Sequence, residues 1–346
     1  MKAYRFTAWQ TEPEFQTVPD PEPGPGEVLV KVGGAGVCHS DLHLMEWPEG
    51  TMDFTLPFTL GHENAGWVEA TGPGVDSFQT GEAVAVYGAW GCGTCRECRT
   101  SNENYCEKQA TLGYLGGGLG RDGGMAEYML VPDKRMLIPL GELDPHEAAP
   151  LTDAALTPYH AVHRSLDLLY PGSTVVVIGV GGLGHMAIQI IKAISSARVI
   201  ALDLDEAKLE LARDVGADQA ALSNDVAVDL VRDQTGGVGA EVVLDMVGSD
   251  PTLALAAQLT RMRGHLTVVG LGGGTLPFTF GGLPWECSVA MPYWGSALEL
   301  IEVLELARQG KISARTQRFG LDEAPLAYEK LRENQLSGRA VICPND

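Results

Sequence analysis

Apolar and polar positions divide this chain into two textures. From Met1 to about Pro150, short apolar runs such as "EVLVKVGGAGV", "GWVEATG" and "EAVAVYG" alternate with glycines and prolines. Short strands punctuated by turn residues predict an irregular, mostly β unit. From about Ser173 the pattern changes. "STVVVIG" predicts a buried strand, and "GHMAIQIIKAISS" after it sets Ala187, Ile190, Ile191 and Ile194 on one helical face. "RVIALD", "EVVLDMVG" and "HLTVVGLG" predict further strands, with helices between them such as "DEAKLELARDVG", which stops at Gly216. This alternation predicts a parallel sheet with right-handed crossovers. The last stretch predicts a helix in "ALELIEVLELARQG" and a strand in "GRAVICP", and leaves open whether it folds back on the first unit.

A length of 346 residues suggests about two domains. Hydrophobic residues make up 45% and charged residues 20%, a globular composition. The net charge of −21 argues against nucleic acid or an anionic membrane as partner, since both need clustered Lys and Arg. The first residues, "MKAYRFTAWQTEPEF", contain no apolar leader, and the longest apolar runs are too short for a membrane span. A cytoplasmic protein is expected, in which the seven cysteines favour metal ligation or burial over disulfides.

"IGVGGLG" sets Gly179, Gly181 and Gly184 in G-x-G-x-x-G spacing, after a predicted strand and at the start of a predicted helix. The first glycine permits the tight turn, the second lets a pyrophosphate approach, and the third lets helix and strand pack closely. Asp203 ends the next predicted strand, where a carboxylate can bind both ribose hydroxyls and repel a 2′-phosphate. NAD is therefore expected over NADP.

"GCGTCRECRTSNENYC" carries Cys92, Cys95, Cys98 and Cys106 as C-x2-C-x2-C-x7-C. That spacing suits a tetrahedral zinc site, structural because no position is left open. An iron–sulfur cluster is the competing reading. "GVCHSDLH", Gly36 to His43, packs a thiol, two imidazoles, a hydroxyl and a carboxylate into one short turn. With His62, Glu63 and Asp153 it offers donors for a second, catalytic zinc, although spacing alone does not assemble residues so far apart.

The order of these motifs resembles the zinc-containing medium-chain alcohol dehydrogenases over nearly the whole chain. The resemblance rests on "GVCHSD", on "GHE" followed by Gly66, Gly72 and Val75, on the four-cysteine loop, and on "GVGGLG" with its downstream acid. It is strongest to bacterial NAD-dependent members acting on secondary and bulky alcohols, which similarly carry "LTDAxLTPYHA" and "PYWG". The resemblance implies a GroES-like, mostly β catalytic domain (1–153 and 291–346) around a Rossmann domain (154–290), an α/β protein overall. It also implies a homotetramer, with a dimer as the next choice.

Residue by residue, it implies that Cys38, His62 and Asp153 hold the catalytic zinc. Asp153 stands where many members have a second cysteine. Glu63 matches an acid that approaches zinc transiently, and Asp41 the acid that orients His62. Ser40 matches the hydroxyl facing the alcohol, and His43 the base that returns its proton to solvent. His39 and Arg339 match pyrophosphate contacts, Thr157 and Leu183 residues packing the nicotinamide, and Lys208 a ribose contact. Gly182 and Val269 complete the implied coenzyme site. Phe54, Trp90, Leu119, Leu271, Tyr293 and Trp294 are the implied substrate wall, which suits hydrophobic, cyclic or aryl alcohols better than polyols.

The expected reaction is reversible alcohol oxidation with NAD. Two alternatives stand beside it. A zinc-independent quinone or enone reductase of the same superfamily would lack Cys38 and the four-cysteine loop. A non-enzymatic zinc- and NAD-binding redox sensor would not need the proton relay.

Overall fold

The computed structural model describes residues 1–346, apart from the side chain of Asp225. Two compact units emerge. The first comprises Met1–Leu156, Trp294–Gln309 and Ser313–Asp346, the second Thr157–Tyr293 and Gly310–Ile312. The crossing points thus fall after Leu156 and before Trp294, each three residues further along the chain than the 154–290 bounds expected from sequence.

The first unit is built on strands β1 (Val28–Gly36), β2 (Glu63–Thr71), β3 (Ala83–Val86), β4 (Tyr128–Val131) and β5 (Leu137–Pro139), with helix α1 (His39–Glu46) after β1. Alternate residues of these strands face a core that includes Val30, Val32, Ala65, Val84 and Met129. The four-cysteine loop lies between β3 and β4.

The second unit contains β6 (Thr174–Ile178), α2 (Gly184–Ile194), β7 (Arg198–Asp203), α3 (Glu206–Asp214), β8 (Gln219–Leu222), β9 (Ala240–Asp245), β10 (Thr260–Val268) and β11 (Ser288–Ala290). Every pairing is parallel, in the order β8-β7-β6-β9-β10-β11. In chain order that is 3-2-1-4-5-6, the doubly wound arrangement with its switch point beside β6. All residues of β6 and β9 are buried, as expected for central strands covered on both faces.

The chain then returns through α4 (Ala297–Arg308), β12 (Thr316–Gly320), α5 (Ala324–Arg332) and β13 (Arg339–Cys343). β13 pairs antiparallel with β1, with Val341 opposite Gly36, and parallel with β12. The first sheet therefore runs β5-β3-β2-β1-β13-β12, with β4 also on β1. This answers the open question: the last strand completes the first unit. No helix among the described residues is long and apolar enough to cross a membrane.

Candidate active site and metal centres

Strand register assembles the mixed donor group. β1 and β2 pair with Gly36 opposite Glu63, which brings Cys38, just past the end of β1, next to His62, just before β2. "GVCHSDLH" is not the single crowded turn expected from sequence. Cys38 caps α1, so helical spacing spreads the polar groups: Asp41 is buried, Ser40 and His43 are half-buried, and His39 is exposed. Asp153 follows the short 3-10 turn Ala149–Thr152.

Donor atoms of Cys38, His62, Glu63 and Asp153 lie within 4.8 Å of one another. Asp153 Oδ2 stands 4.0 Å from Cys38 Sγ and 3.7 Å from His62 Nε2. Zinc bonds of ~2.0–2.3 Å would set such atoms about 3.3–3.7 Å apart in a tetrahedron. The separation from Nε2 is too long for a hydrogen bond and near what a shared ion imposes. These residues fit zinc.

The groups behind the donors are also ordered. His62 Nδ1 faces Asp41 Oδ1 at 3.1 Å, which directs Nε2 toward Asp153. Asp41 Oδ2 accepts from the Cys38 N–H at 3.1 Å and from the Tyr328 hydroxyl at 2.9 Å. Burial opposes a charge on His62, but Asp41, Asp153 and Cys38 outweigh it and raise its proton affinity well above that of ordinary imidazole. A metal must displace that proton. Burial pushes the Tyr328 phenol well above its usual value, reinforced by the Asp41 charge, so it acts as a donor.

Glu63 is committed elsewhere. Both its oxygens pair with Arg339, one accepting from Nε at 2.9 Å and the other from Nη2. Arg339 Nη2 also lies 3.8 Å from Asp153 Oδ2. Burial raises the Glu63 carboxyl to about 7 against the pull of Arg339. Gly36 is required opposite it, because a Cβ there would stand 1.8 Å from Glu63 Oε2.

The four cysteines of the loop are unbridged and converge, all four Sγ atoms lying within 4.8 Å. S···S separations of 4.0 Å (Cys92–Cys98) and 3.4 Å (Cys95–Cys98) bracket the ~3.8 Å edge of a tetrahedron with Zn–S of ~2.3 Å. The space between them suits one ion rather than a multi-iron cluster. Backbone N–H groups of Thr94 and Cys95 point at the Cys92 sulfur, and that of Cys98 at the Cys95 sulfur. The Thr94 hydroxyl, with the Thr94 and Cys95 N–H groups, holds the Cys92 thiol down to about 5, favouring the thiolate that zinc needs at that position.

A third group, His146, Cys343 and Asp346, also comes together. There, however, His146 Nδ1 and Nε2 face Asp144 at 2.6 Å and Asp346 at 3.2 Å, and Arg318 covers Asp144. Ordinary hydrogen bonding accounts for it.

Of the wall residues, the first unit buries Trp90, Leu119 and Trp294. The Trp294 indole meets His62 edge to face at 5.8 Å and donates through Nε1 to the Thr152 carbonyl at 3.0 Å. Phe54 is half-buried and stacks on Trp9 at 6.3 Å. Leu271 and Tyr293 belong to the second unit and are exposed.

In the second unit the glycine loop joins β6 to α2. Gly179 has φ +89°, and a Cβ on Gly184 would stand 1.9 Å from the Gly179 carbonyl oxygen, whereas one on Gly181 would meet nothing within 4 Å. The first turn of α2 holds no acidic residue, leaving its positive end for an anion. Asp203 Oδ2 accepts from the Val180 N–H at 2.7 Å, and Oδ1 from those of Leu204 and Asp205 at 2.8 and 3.1 Å. The carboxylate is thus locked at the end of β7 beside the loop. Gly182, Leu183 and Lys208 are half-buried, Thr157 is buried at the start of the helix Leu156–His163, and Val269 follows β10. These features fit a dinucleotide. Sequence reasoning missed Tyr328, which no local signal marks, and the Glu63–Arg339 pair.

Comparison with known proteins agrees with this geometry. Residues 24–142 match the alcohol dehydrogenase GroES-like domain, and residues 182–309 match the zinc-binding dehydrogenase family. An NAD-dependent alcohol dehydrogenase of Sulfurisphaera tokodaii is 36% identical over 99% of this chain and 100% of its own length. A D-arabinose 1-dehydrogenase (NADP(+)) of Saccharolobus solfataricus is 35% identical over 94% of this chain and 92% of its own. The crystal structure of the alcohol dehydrogenase from Aeropyrum pernix matches with a TM-score of 0.91, 37% identity, and coverage of 99% and 100%. Acetophenone reductase from Geotrichum candidum, solved with NAD, matches with a TM-score of 0.86, 34% identity, and coverage of 99% and 96%. The chain belongs to the zinc-type medium-chain alcohol dehydrogenase family.

Proposed function

We propose that this chain is a zinc-dependent, NAD-preferring dehydrogenase that reversibly oxidises hydrophobic secondary, cyclic or aryl alcohols to ketones or aldehydes. The observation that carries this reading is the convergence of Cys38, His62 and Asp153 at separations suited to one ion, while Glu63 is committed to Arg339. Three protein ligands leave a position open for substrate.

Zinc bound there would supply a Lewis acid that lowers the pKa of the substrate hydroxyl, and NAD would supply the hydride acceptor. Ser40 Oγ, 3.6 Å from Cys38 Sγ, is the hydroxyl suited to take up that proton. His43 lies three residues further along the same helix, on the same face, and serves as the base that passes the proton to solvent. Its ring is stacked on Trp47 at 5.7 Å, which restricts its orientation. The Asp203 carboxylate disfavours a 2′-phosphate at the end of β7. Buried Trp90, Leu119 and Trp294 favour an apolar ring over a polyol.

An NADH-formation screen across primary, secondary, cyclic and aryl alcohols, with D-arabinose included, tests the reading. Secondary or aryl alcohols are expected to lead, and turnover is expected to stop after chelation. Undiminished turnover without metal would refute the zinc assignment. NAD binding with no NADH formed from any alcohol would favour a redox sensor.

For assembly, we propose pairing of two copies through the edge strand β11. Phe278, Phe280 and Met291, in the chain segments flanking it, are 83%, 96% and 82% exposed, large apolar side chains that such pairing would cover. Sedimentation of a monomer at micromolar concentration would refute this.

A further inference from the structure

Asp41 poses a problem that its role behind His62 does not solve. Its carboxylate is fully buried, and no lysine or arginine among the described residues pairs with it. A buried carboxylate is tolerated only when its oxygens are satisfied by donors. Three are present: the His62 ring on Oδ1, and the Cys38 N–H and Tyr328 hydroxyl on Oδ2. Two of them belong to residues of the mixed metal site. The third comes from α5, 287 positions along the chain.

The Tyr328 hydroxyl has one proton and two acceptors in reach, Asp41 Oδ2 at 2.9 Å and Met125 Sδ at 3.4 Å. A carboxylate is much the stronger acceptor, so the proton goes to Asp41. The ring cannot swing away: the residue is 1% exposed and lies stacked against Tyr4 with centroids 6.2 Å apart. Tyr328 therefore presents a fixed donor to one oxygen of Asp41. Rotation of that carboxylate would break its bonds to the Cys38 backbone and the His62 ring together.

We propose that Tyr328 is a positioning residue of the mixed metal centre, holding Asp41 in the orientation in which one oxygen serves His62 and the other serves Cys38. This rests on the reading of Cys38, His62 and Asp153 as zinc ligands. Partners of this kind, one step behind the ligands, typically change metal affinity by roughly 10–100-fold when removed.

The test is zinc retention by the full-length, zinc-loaded protein against a graded chelator, with the four-cysteine site as internal reference. Tyr328→Phe is expected to release the mixed-site zinc at roughly 10–100-fold lower chelator concentration while the four-cysteine zinc stays bound. Met125→Leu is expected to leave both unchanged. On an Asp41→Asn background, Tyr328→Phe is expected to add little, since the two residues act in series. Tyr328→His, whose ring N–H can still face Asp41, is expected to recover part of the loss. Equal retention in Tyr328→Phe and wild type overturns the proposal. So does an effect of full size on the Asp41→Asn background, or loss of both zincs together. If Tyr328→Phe does not fold, the His variant decides: preferential loss of the mixed-site zinc supports the proposal, and wild-type retention of both or loss of both overturns it. Wild-type protein that binds zinc only at the cysteines would overturn the underlying ligand assignment instead, and that outcome is visible before any variant is made.

Discussion

Removing the Arg339 guanidinium should disturb the proposed metal site severely without touching any of its proposed ligands. Arg339 is 3% exposed, engages both oxygens of the fully buried Glu63, and stands 3.8 Å from Asp153. Two unit charges about 4 Å apart attract by ~4 kcal/mol at an effective dielectric constant of ~20. Breaking a buried pair by deleting one partner costs about 3–5 kcal/mol, because the other charge is left uncompensated. Arg339→Met should therefore lower the stability of the first unit by that amount. At a urea dependence of ~2–3 kcal/mol/M, its midpoint should fall by roughly 1–2 M. Tryptophan fluorescence reads the right transition, since five of the six tryptophans lie in the first unit.

Two further arms sharpen the test. Adding Glu63→Gln to Arg339→Met should recover at least half of the loss, because a neutral amide is cheaper to bury than an unpaired carboxylate. The pH dependence has a definite sign. Burial already raises the Glu63 carboxyl from 4.5 to about 7 with Arg339 present. A raised carboxyl means that the folded state holds a proton which the unfolded state has lost, so stability falls as pH rises through that window. Without Arg339 the window extends upward, and the chelator-treated variant should approach wild type as pH is lowered. An Arg339→Met unfolding free energy within about 1 kcal/mol of wild type, or a double variant as unstable as the sum of the singles, would refute this account.

Other predictions address the metals and the packing. Zinc affinity at the mixed site should weaken as pH falls, because His62 holds its proton well above the ordinary range and the metal must displace it. Chelator competition that gives one affinity from about pH 6 to 9 would contradict this. Cys95→Ser should remove one zinc per chain and lower thermal stability while the mixed-site zinc remains, as elemental analysis and calorimetry would show. Gly36→Ala should cost about 1–3 kcal/mol, since its Cβ would sit 1.8 Å from Glu63 Oε2, and an unchanged melting temperature would count against the packing described.

Much of the fold was legible because its signals are local. The valine run of β6, the helical face of α2 and the glycines between them lie within about twenty consecutive residues, so periodicity and turn chemistry identify them. The four cysteines were legible for the same reason. "GVCHSDLH" was misread as a turn because its helix is short and polar, eight residues stabilised by tertiary contacts rather than by an apolar stripe. The mixed donor group depended on resemblance, since the pairing of β1 with β2 that joins Cys38 to His62 leaves no trace in spacing. Tyr328 and the Glu63–Arg339 pair were illegible for a further reason. Each makes its contact across more than 270 positions, and a buried tyrosine or arginine in sequence looks like any other.

Strand β13 completes the first sheet from the far end of the chain, and this orders events during synthesis. The second unit has all its residues once position 312 has left the ribosome, and domains tend to fold as units as they emerge. The first 156 residues must wait longer. Until Arg339 arrives, Glu63 cannot be buried with its counter-charge, and until Tyr328 arrives Asp41 lacks its third donor. The nascent first unit should thus be held back from closing the proposed metal site until the chain is almost finished, and a product truncated before residue 339 should be cleared as unfolded rather than accumulate as a metal-binding fragment.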